Sequence, residues 1–431
     1  MKEEKCQEKK LNLSRRSFVK LGAVSAVAGA GAVAGLPAQA ETTSDRELPG
    51  KMPQTQLPVK VDSHVYKRFH QQDTAFCQAA TGRFPEGRQA FSQLGATTQE
   101  VGLRQIDKAL TDAGWYVDKL IANNASIMSP DTLAYRWDND ADVADSAYAF
   151  SSKEEATHHI KKAARFLGAD LVGITPYDER WTYASIFKPE LKKSVEPELP
   201  FTPKSVIVLG YEMDYEAMAT APSGVSGGAV GKGYSQMAIT GASLRNFINN
   251  LGYRAFASGN DVALSVPYGV AAGLGEAARN GILVTYEYGP RVRIGKVFTE
   301  LDLSYNKPVT FGVRHFCESC MRCADACPGN AISKTKKPSF DIHNECNNPG
   351  VEKWAVDAKK CLLGWGKTQS DCATCITSCP YSKPDFWHHR LVDKVNKLMP
   401  GPVHSVMREM DKLFGYGNSF DRKSVTKFWK S

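Results

Sequence analysis

The sequence predicts a mixed α+β / α/β protein that carries a compact cysteine-rich module towards the end of its chain. Three observations lead there. Helical and strand-like segments alternate across residues 151–310, eight of the eleven cysteines form two clusters between Cys317 and Cys379, and 42% of the 431 residues are apolar against 23% charged. The composition is that of an ordinary globular protein, and the length exceeds what one hydrophobic core usually supports, so more than one domain is expected.

The alternation begins where Ser152 and Glu155 stand at capping-box spacing and open a helix to about Leu167, with Ile160, Ala163, Phe166 and Leu167 as its apolar stripe. Residues 170–175 (DLVGIT) read as a short strand and 205–210 (SVIVLG) as a buried one. An amphipathic helix is predicted over 235–251, another over 270–280, and a strand over 282–286. Before this region, residues 41–150 are polar and weakly periodic, with 99–123 as their most helical part, and they are expected to wrap the core or form a lid. After the cysteines, 392–399 and 406–414 have helical character. The aromatic residues, Trp115 among them, are assigned to core packing.

The net charge is +8, but residues 1–40 contribute half of it through seven Lys or Arg against three Glu. What remains is diluted over the rest of the chain and forms no basic stripe with interleaved aromatics, so nucleic-acid binding is not expected. Those forty residues read as an address. Ser14-Arg15-Arg16-Ser17-Phe18-Val19-Lys20 is a twin-arginine motif, an Ala- and Gly-rich stretch follows, and Ala38-Gln39-Ala40 fits a signal-peptidase site before Glu41. Twin-arginine export carries folded proteins, which suits a chain that acquires cofactors before it leaves the cytoplasm.

The cysteines define a chemistry. The first motif is Cys317-x2-Cys320-x2-Cys323-x3-Cys327-Pro328, and the second is Cys361-x10-Cys372-x2-Cys375-x3-Cys379-Pro380. In bacterial two-cluster ferredoxins the cysteine before proline ligates the other cluster. The spacing therefore assigns Cys317, Cys320, Cys323 and Cys379 to one [4Fe–4S] cluster, and Cys327, Cys361, Cys372 and Cys375 to a second. Cys346 competes with Cys361, because the gap to Cys372 is longer than in a simple ferredoxin. Zinc sites usually pair two CxxC knuckles and do not repeat a CxxC-x3-Cys-Pro run. Cys77 reads as a buried structural thiol. Two linked clusters conduct electrons, and the long chain ahead of them is expected to hold whatever accepts those electrons.

A twin-arginine leader, a mixed domain and a two-cluster module together resemble the respiratory reductive dehalogenases. The resemblance implies a nitroreductase-like domain over 151–310 that binds a corrinoid (a cobamide, base-off), followed by a ferredoxin-like domain over 311–390. Around these stand the leader 1–40, the region 41–150 and a helical tail over 391–431. The sequence has no DxHxxG motif to supply a lower histidine ligand, in keeping with that picture. The family's catalytic tyrosine matches Tyr234 in Gly231-Lys232-Gly233-Tyr234-Ser235-Gln236-Met237, at the expected entry to a helix. Asn260 in Ser258-Gly259-Asn260 and Arg293 in Gly289-Pro290-Arg291-Val292-Arg293 match its other active-site positions. Arg291 rivals Arg293, since residues two apart on a strand share a face. Tyr234 is expected to donate the proton and Arg293 to hold the phenolate.

The implied reaction removes halide from an organohalide, a chlorinated phenol or alkene, in anaerobic respiration at the outer face of the cytoplasmic membrane. The implied partners are a small membrane-anchor protein and a quinone-linked electron donor. Two other functions share parts of the pattern: an exported iron–sulfur electron-transfer subunit without its own catalysis, and an epoxyqueuosine reductase-like cobamide enzyme, which has no use for an export leader.

Overall fold

The central sheet of the computed structural model joins strands that lie far apart in the sequence. Residues 51–121, 143–188, 191–197, 199–383 and 422–431 are described, all within the unit Pro49–Ser431; the unit Met1–Leu48 lies outside them. The export leader and the helices expected over 392–399 and 406–414 therefore fall outside the described residues.

In chain order, helices α1 (Ala75–Ala80), α2 (Pro85–Ser92), α3 (Gln105–Ile121) and α4 (Lys153–Phe166) lead to strand β1 (Leu171–Pro176). Strand β2 (Ser205–Glu212), helix α5 (Gly224–Asn250), strand β3 (Ala255–Ser258), helix α6 (Ser265–Ala271) and strand β4 (Val292–Thr299) complete the mixed region. The sheet runs β1-β2-β4-β3, and every pairing is antiparallel. Helices do alternate with strands, yet the antiparallel pairing gives the α+β form of the expected architecture.

Strand β2 explains the unbroken apolar run of its sequence, because both its faces are covered. Ile207, Leu209 and Tyr211 pack towards α4 and α5, while Val206 and Val208 pack with Phe256, Phe298 and Tyr268 on the other side. This is the period of two of a strand buried on both faces. Val297 lies on the α5 face, and Arg293, four residues earlier on β4, shares it.

Ser152 caps α4 as the sequence suggested, accepting from Glu155 N at 3.1 Å. The reciprocal bond goes elsewhere: the Glu155 carboxylate accepts from Ser151 N at 2.6 Å. Two expected helices need correction. The helix expected over 235–251 starts at Gly224, behind a capping box of Ser223 and Ser226. Gly224, Gly227, Gly228, Gly231 and Gly233 hide that start, since each glycine costs a helix about 1 kcal/mol relative to alanine. Packing overrides the propensity: α3 lies so close that a Cβ on Gly114 would stand 2.3 Å from Gly228 O. The helix expected over 270–280 is α6, which ends at Ala271. Gly273 follows in the left-handed region (φ 73°), and Gly275–Ala277 then pairs with Leu283–Thr285 as a hairpin.

Residues 311–383 hold four short helices, α7 (Val313–Ser319), α8 (Arg322–Asp325), α9 (Ala358–Thr368) and α10 (Thr374–Thr377). The hairpin anchors them: the buried Glu276 carboxylate accepts from Phe311 N (2.7 Å), Val313 N (3.1 Å) and Arg314 N (3.4 Å) at the start of α7. The earlier segments touch both regions. Met52–Pro53 pairs with Val309–Thr310, α1 and α2 pack Ala75, Phe84 and Phe91 on Leu362 of α9, and α3 packs on α5. Helix α11 (Arg422–Phe428) is followed by Trp429, whose Nε1 donates to Asp107 Oδ1 at 2.7 Å. Among the described residues no helix is long and apolar enough to cross a membrane.

Candidate active site and cysteine centres

Tyr234 sits in the middle of α5, not at its entry, and two glycines make room on either side of it. At about 100° per residue, Gly231 falls about 60° to one side of Tyr234 and Gly233 about 100° to the other. A Cβ on Gly231 would stand 2.4 Å from Trp115 Cδ1, and one on Gly233 would stand 2.8 Å from Arg293 Cγ. Their absence lets Trp115 stack on the phenol ring, with centroids 4.7 Å apart and planes at 23°. The Arg293 guanidinium carbon lies 5.0 Å from the same ring centroid. The phenol is thus held between an indole and a guanidinium.

The hydroxyl of Tyr234 accepts from Asn260 Nδ2 at 2.8 Å and, at a longer 3.5 Å, from Arg293 Nη1. The three residues proposed from the sequence are therefore neighbours, delivered by α5, the loop after β3, and β4. Arg291 departs from them. Its Nη1 donates to Glu212 Oε1 at 2.8 Å and Met213 O at 2.7 Å, and its Nη2 to Lys383 O at 3.2 Å. Arg291 precedes the first residue of β4, so the shared-face rule does not hold it beside Arg293.

Asn260 is itself oriented by a hydrogen-bond chain. Ser265 Oγ donates to Asn260 Oδ1 at 3.1 Å, and Lys296 Nζ donates to Ser265 Oγ at 2.7 Å and to Gly259 O. With Oδ1 occupied, the amide turns its N–H groups towards Tyr234. Tyr183, also buried, donates from Oη to Asn260 O at 3.1 Å. Burial pushes the Asp261 carboxyl up and the Lys296 ammonium down, and each charge partly offsets the other. Asp371 is buried within reach of the Arg293 charge. Burial pushes its carboxyl up to about 6, against the pull of that guanidinium.

The sequence reading did not single out Trp115, Tyr183, Ser265, Lys296 or Asp371 for the site, and it assigned Trp115 to the core. None carries a local signal: each reaches Tyr234, Asn260 or Arg293 only through the fold. The nearest clue was the glycine pair around Tyr234, which needs the packing partner before it means anything.

All ten described cysteines are free thiols. Burial, reinforced by neighbouring thiols, pushes Cys317, Cys323 and Cys361 up to about 12. Cys379 is pushed well up by burial and then by Cys323, Cys317 and Cys320, whereas Cys361 has Cys372 and Cys327 beside it. Cys375 has Cys361 and Cys372 nearest and also adjoins Cys323, so the two groups touch. Cys346 lies apart, its sulfur facing Gln78 Nε2 at 3.4 Å and its charged neighbours being Glu345, Lys359, Asp357 and Asp73. Cys372 and Ala373 both adopt left-handed backbone (φ 56° and 59°), a strained turn for residues with side chains. Thiols this buried and this close ionise together only around a cationic metal centre, which the donor chemistry suits.

Comparison with known proteins agrees with that chemistry. Residues 316–382 match the model of a 4Fe-4S double cluster binding domain, which makes the chain a double-cluster iron–sulfur protein. The tetrachloroethene reductive dehalogenase of Dehalobacter restrictus is 43% identical over 335 residues, covering 68% of this chain and 60% of its own. That of Sulfurospirillum multivorans is 29% identical over 485 residues, covering 98% of this chain and 94% of its own. A solved catabolic reductive dehalogenase in complex with 3-bromo-4-hydroxybenzoic acid superposes with a TM-score of 0.64 at 21% identity, over 86% of this chain and 49% of that one. A second structure, described as suggesting a mechanism for B12-dependent dehalogenation, gives 0.65 at 21%, over 87% and 49%. The chain belongs to the reductive dehalogenase family. It spans about 60% of the length of the Dehalobacter relative.

Proposed function

We propose that the chain is a corrinoid-dependent reductive dehalogenase that replaces a carbon-bound halogen of a small halogenated alkene with hydrogen. Two electrons and one proton enter, the carbon–halogen bond breaks, and halide leaves. The observation that carries this reading is the pair of N–H donors converging on Tyr234 Oη, from Asn260 at 2.8 Å and Arg293 at 3.5 Å. Tyr234 gives its phenolic proton to the substrate carbon, and those donors hold the negative charge left on the oxygen. Trp115 and the guanidinium fix the ring between them, so the hydroxyl keeps one direction. Alkenes are favoured over chlorophenols because the Dehalobacter and Sulfurospirillum relatives are tetrachloroethene dehalogenases.

A cobamide would supply the low-potential electron pair. Arg293 Nε supports its fit: it is buried without a partner on the arginine that meets Tyr234, and a macrocycle fringed with amides offers acceptors. For the clusters, Cys317, Cys320, Cys323 and Cys379 hold one, and Cys327, Cys361, Cys372 and Cys375 the other. The Ser14–Lys20 motif supports twin-arginine export to the outer face of the cytoplasmic membrane, where a small membrane-anchor protein and a quinone-linked donor would serve the enzyme. A reporter fused to residues 1–40 should lose export when Arg15 and Arg16 both become Lys.

The test of the activity is halide release driven by reduced methyl viologen across chloroethenes and chlorophenols, with metal analysis of anaerobically prepared protein. Turnover of chloroethenes, about eight iron and cobalt equimolar with the chain are expected. Iron without cobalt and without halide release, in protein folded with cobamide present, would make the chain an electron-transfer subunit.

A further inference from the structure

Arg279 is fully buried, and its guanidinium faces main-chain carbonyls. Its Nε donates to Cys320 O at 3.0 Å, its Nη1 to Ser333 O at 2.8 Å and Thr335 O at 2.7 Å, and its Nη2 to Cys317 O. The Trp354 ring lies 4.9 Å from the guanidinium carbon. No carboxylate forms an ion pair with it among the described residues; Glu276, three positions away, has its oxygens engaged by the amides of Phe311, Val313 and Arg314. Carbonyl dipoles satisfy the donors but leave the unit charge uncompensated, and a buried cation without a counter-charge is costly. Two of the carbonyls belong to Cys317 and Cys320, so the guanidinium lies against the turn of chain that carries three of that centre's four cysteines. Near the second group, Asp371 directly precedes Cys372, and the Asp357 carboxylate accepts from Lys360 N, the residue before Cys361, at 3.1 Å.

We propose that Arg279 is the internal counter-charge of the centre held by Cys317, Cys320, Cys323 and Cys379, and that it holds that centre's reduction potential above its neighbour's. The proposal rests on the ligand sets given above. A cubane with four thiolates is a dianion that becomes a trianion when it accepts one electron from a donor, with no bond made or broken. A fixed positive charge at its edge stabilises the trianion more, whereas the carboxylates beside the other centre disfavour the added charge. An electron shared by the pair resides mainly on the first centre.

Iron content and electron paramagnetic resonance of the wild-type chain come first; protein without two cubanes would overturn the ligand reading, and the proposal with it. Given both cubanes, a redox titration followed by paramagnetic resonance should resolve two one-electron waves. Arg279→Gln should move the higher wave to more negative potential and leave the lower one in place, while Arg279→Lys, which keeps the charge, should stay near wild type. An unmoved higher wave in fully loaded Arg279→Gln overturns the proposal, as does an equal shift in Arg279→Lys, which would credit the hydrogen-bond fork instead of the charge. If Arg279→Gln does not assemble, Cys320→Ser decides. Serinate ligation should perturb the higher wave, and perturbation of the lower wave refutes the assignment.

Discussion

Trp115 and Tyr234 stack at 4.7 Å across two helices because neither Gly114 nor Gly231 carries a side chain between them. Gly114 brings the backbones of α3 and α5 into contact, and Gly231 leaves the space the indole fills. Gly231→Ala would place a methyl 2.4 Å from Trp115 Cδ1 and push the indole off the phenol. Overpacking of this kind costs about 1–3 kcal/mol. We expect a lower unfolding temperature together with a fall in turnover, and Trp115→Ala should reproduce the fall in turnover. Normal turnover in both variants would leave the stack a packing feature only.

Tyr234→Phe removes one oxygen and keeps the stack. General acid catalysis contributes about 100- to 10,000-fold, so turnover should drop by that order while cluster and cobalt contents stay unchanged. Near-normal turnover would take the proton from another source.

The two arginines beside the site should separate cleanly by assay. Arg293→Met removes charge from the Tyr234 oxygen and should lower turnover with little change in stability. Arg291→Met strips partners from Glu212, Met213 O and Lys383 O, costing about 1–3 kcal/mol, and should spare turnover per folded molecule. Thermal unfolding and steady-state rates measured side by side check both, and an exchange of phenotypes would reverse the assignment.

Ser265 is predicted to act through Asn260. Ser265→Ala frees the amide to flip and present its oxygen to Tyr234, which should reduce turnover by about tenfold, the value of roughly one hydrogen bond. Ser265→Thr keeps the hydroxyl and should restore the rate. Equal loss in both variants would point to packing instead of amide orientation.

Cys361→Ser should lose part of the iron, whereas Cys346→Ser should keep all of it, because Cys346 faces Gln78 and charged residues and stands apart from the other thiols. Iron analysis of the two variants is sufficient, and the reverse pattern would exchange them as ligands.

Acid should release the segment that bears Trp429. Burial alone would raise the Asp107 carboxyl, but hydrogen bonds from the Arg104 side chain, the Trp429 indole and the Arg104 amide hold it below the usual range. A depressed carboxylate contributes stability that is complete above its unfolded value of about 3.9 and is lost as pH falls through the folded value. Trp429→Phe should reduce that contribution, and unfolding followed between pH 6 and pH 3 would show a shallower acid limb than wild type.

Much of the cysteine chemistry was legible because a cluster ligand set is local. Two runs of closely spaced cysteines carry seven of the eight proposed ligands, and a proline follows the last cysteine of each. The capped start of α4 and the apolar run of β2 were legible for the same reason, since a cap and a strand period span only a few residues. The start of α5 was not. Its glycines argue against a helix locally, and only the α3 backbone lying against them reverses the sign.

By itself, then, the sequence determined the two-cluster module, the mixed architecture and the family resemblance that drew attention to Tyr234, Asn260 and Arg293. Tertiary structure decided that Arg293 and not Arg291 meets the phenol, that Trp115 lies on Tyr234, that Ser265 and Lys296 orient Asn260, and that Arg279 is buried beside the first cysteine group. The reason is physical. Ligand spacing and strand period are written within a turn or two of chain, whereas the direction of an arginine or the partner of a phenol depends on which distant backbones meet.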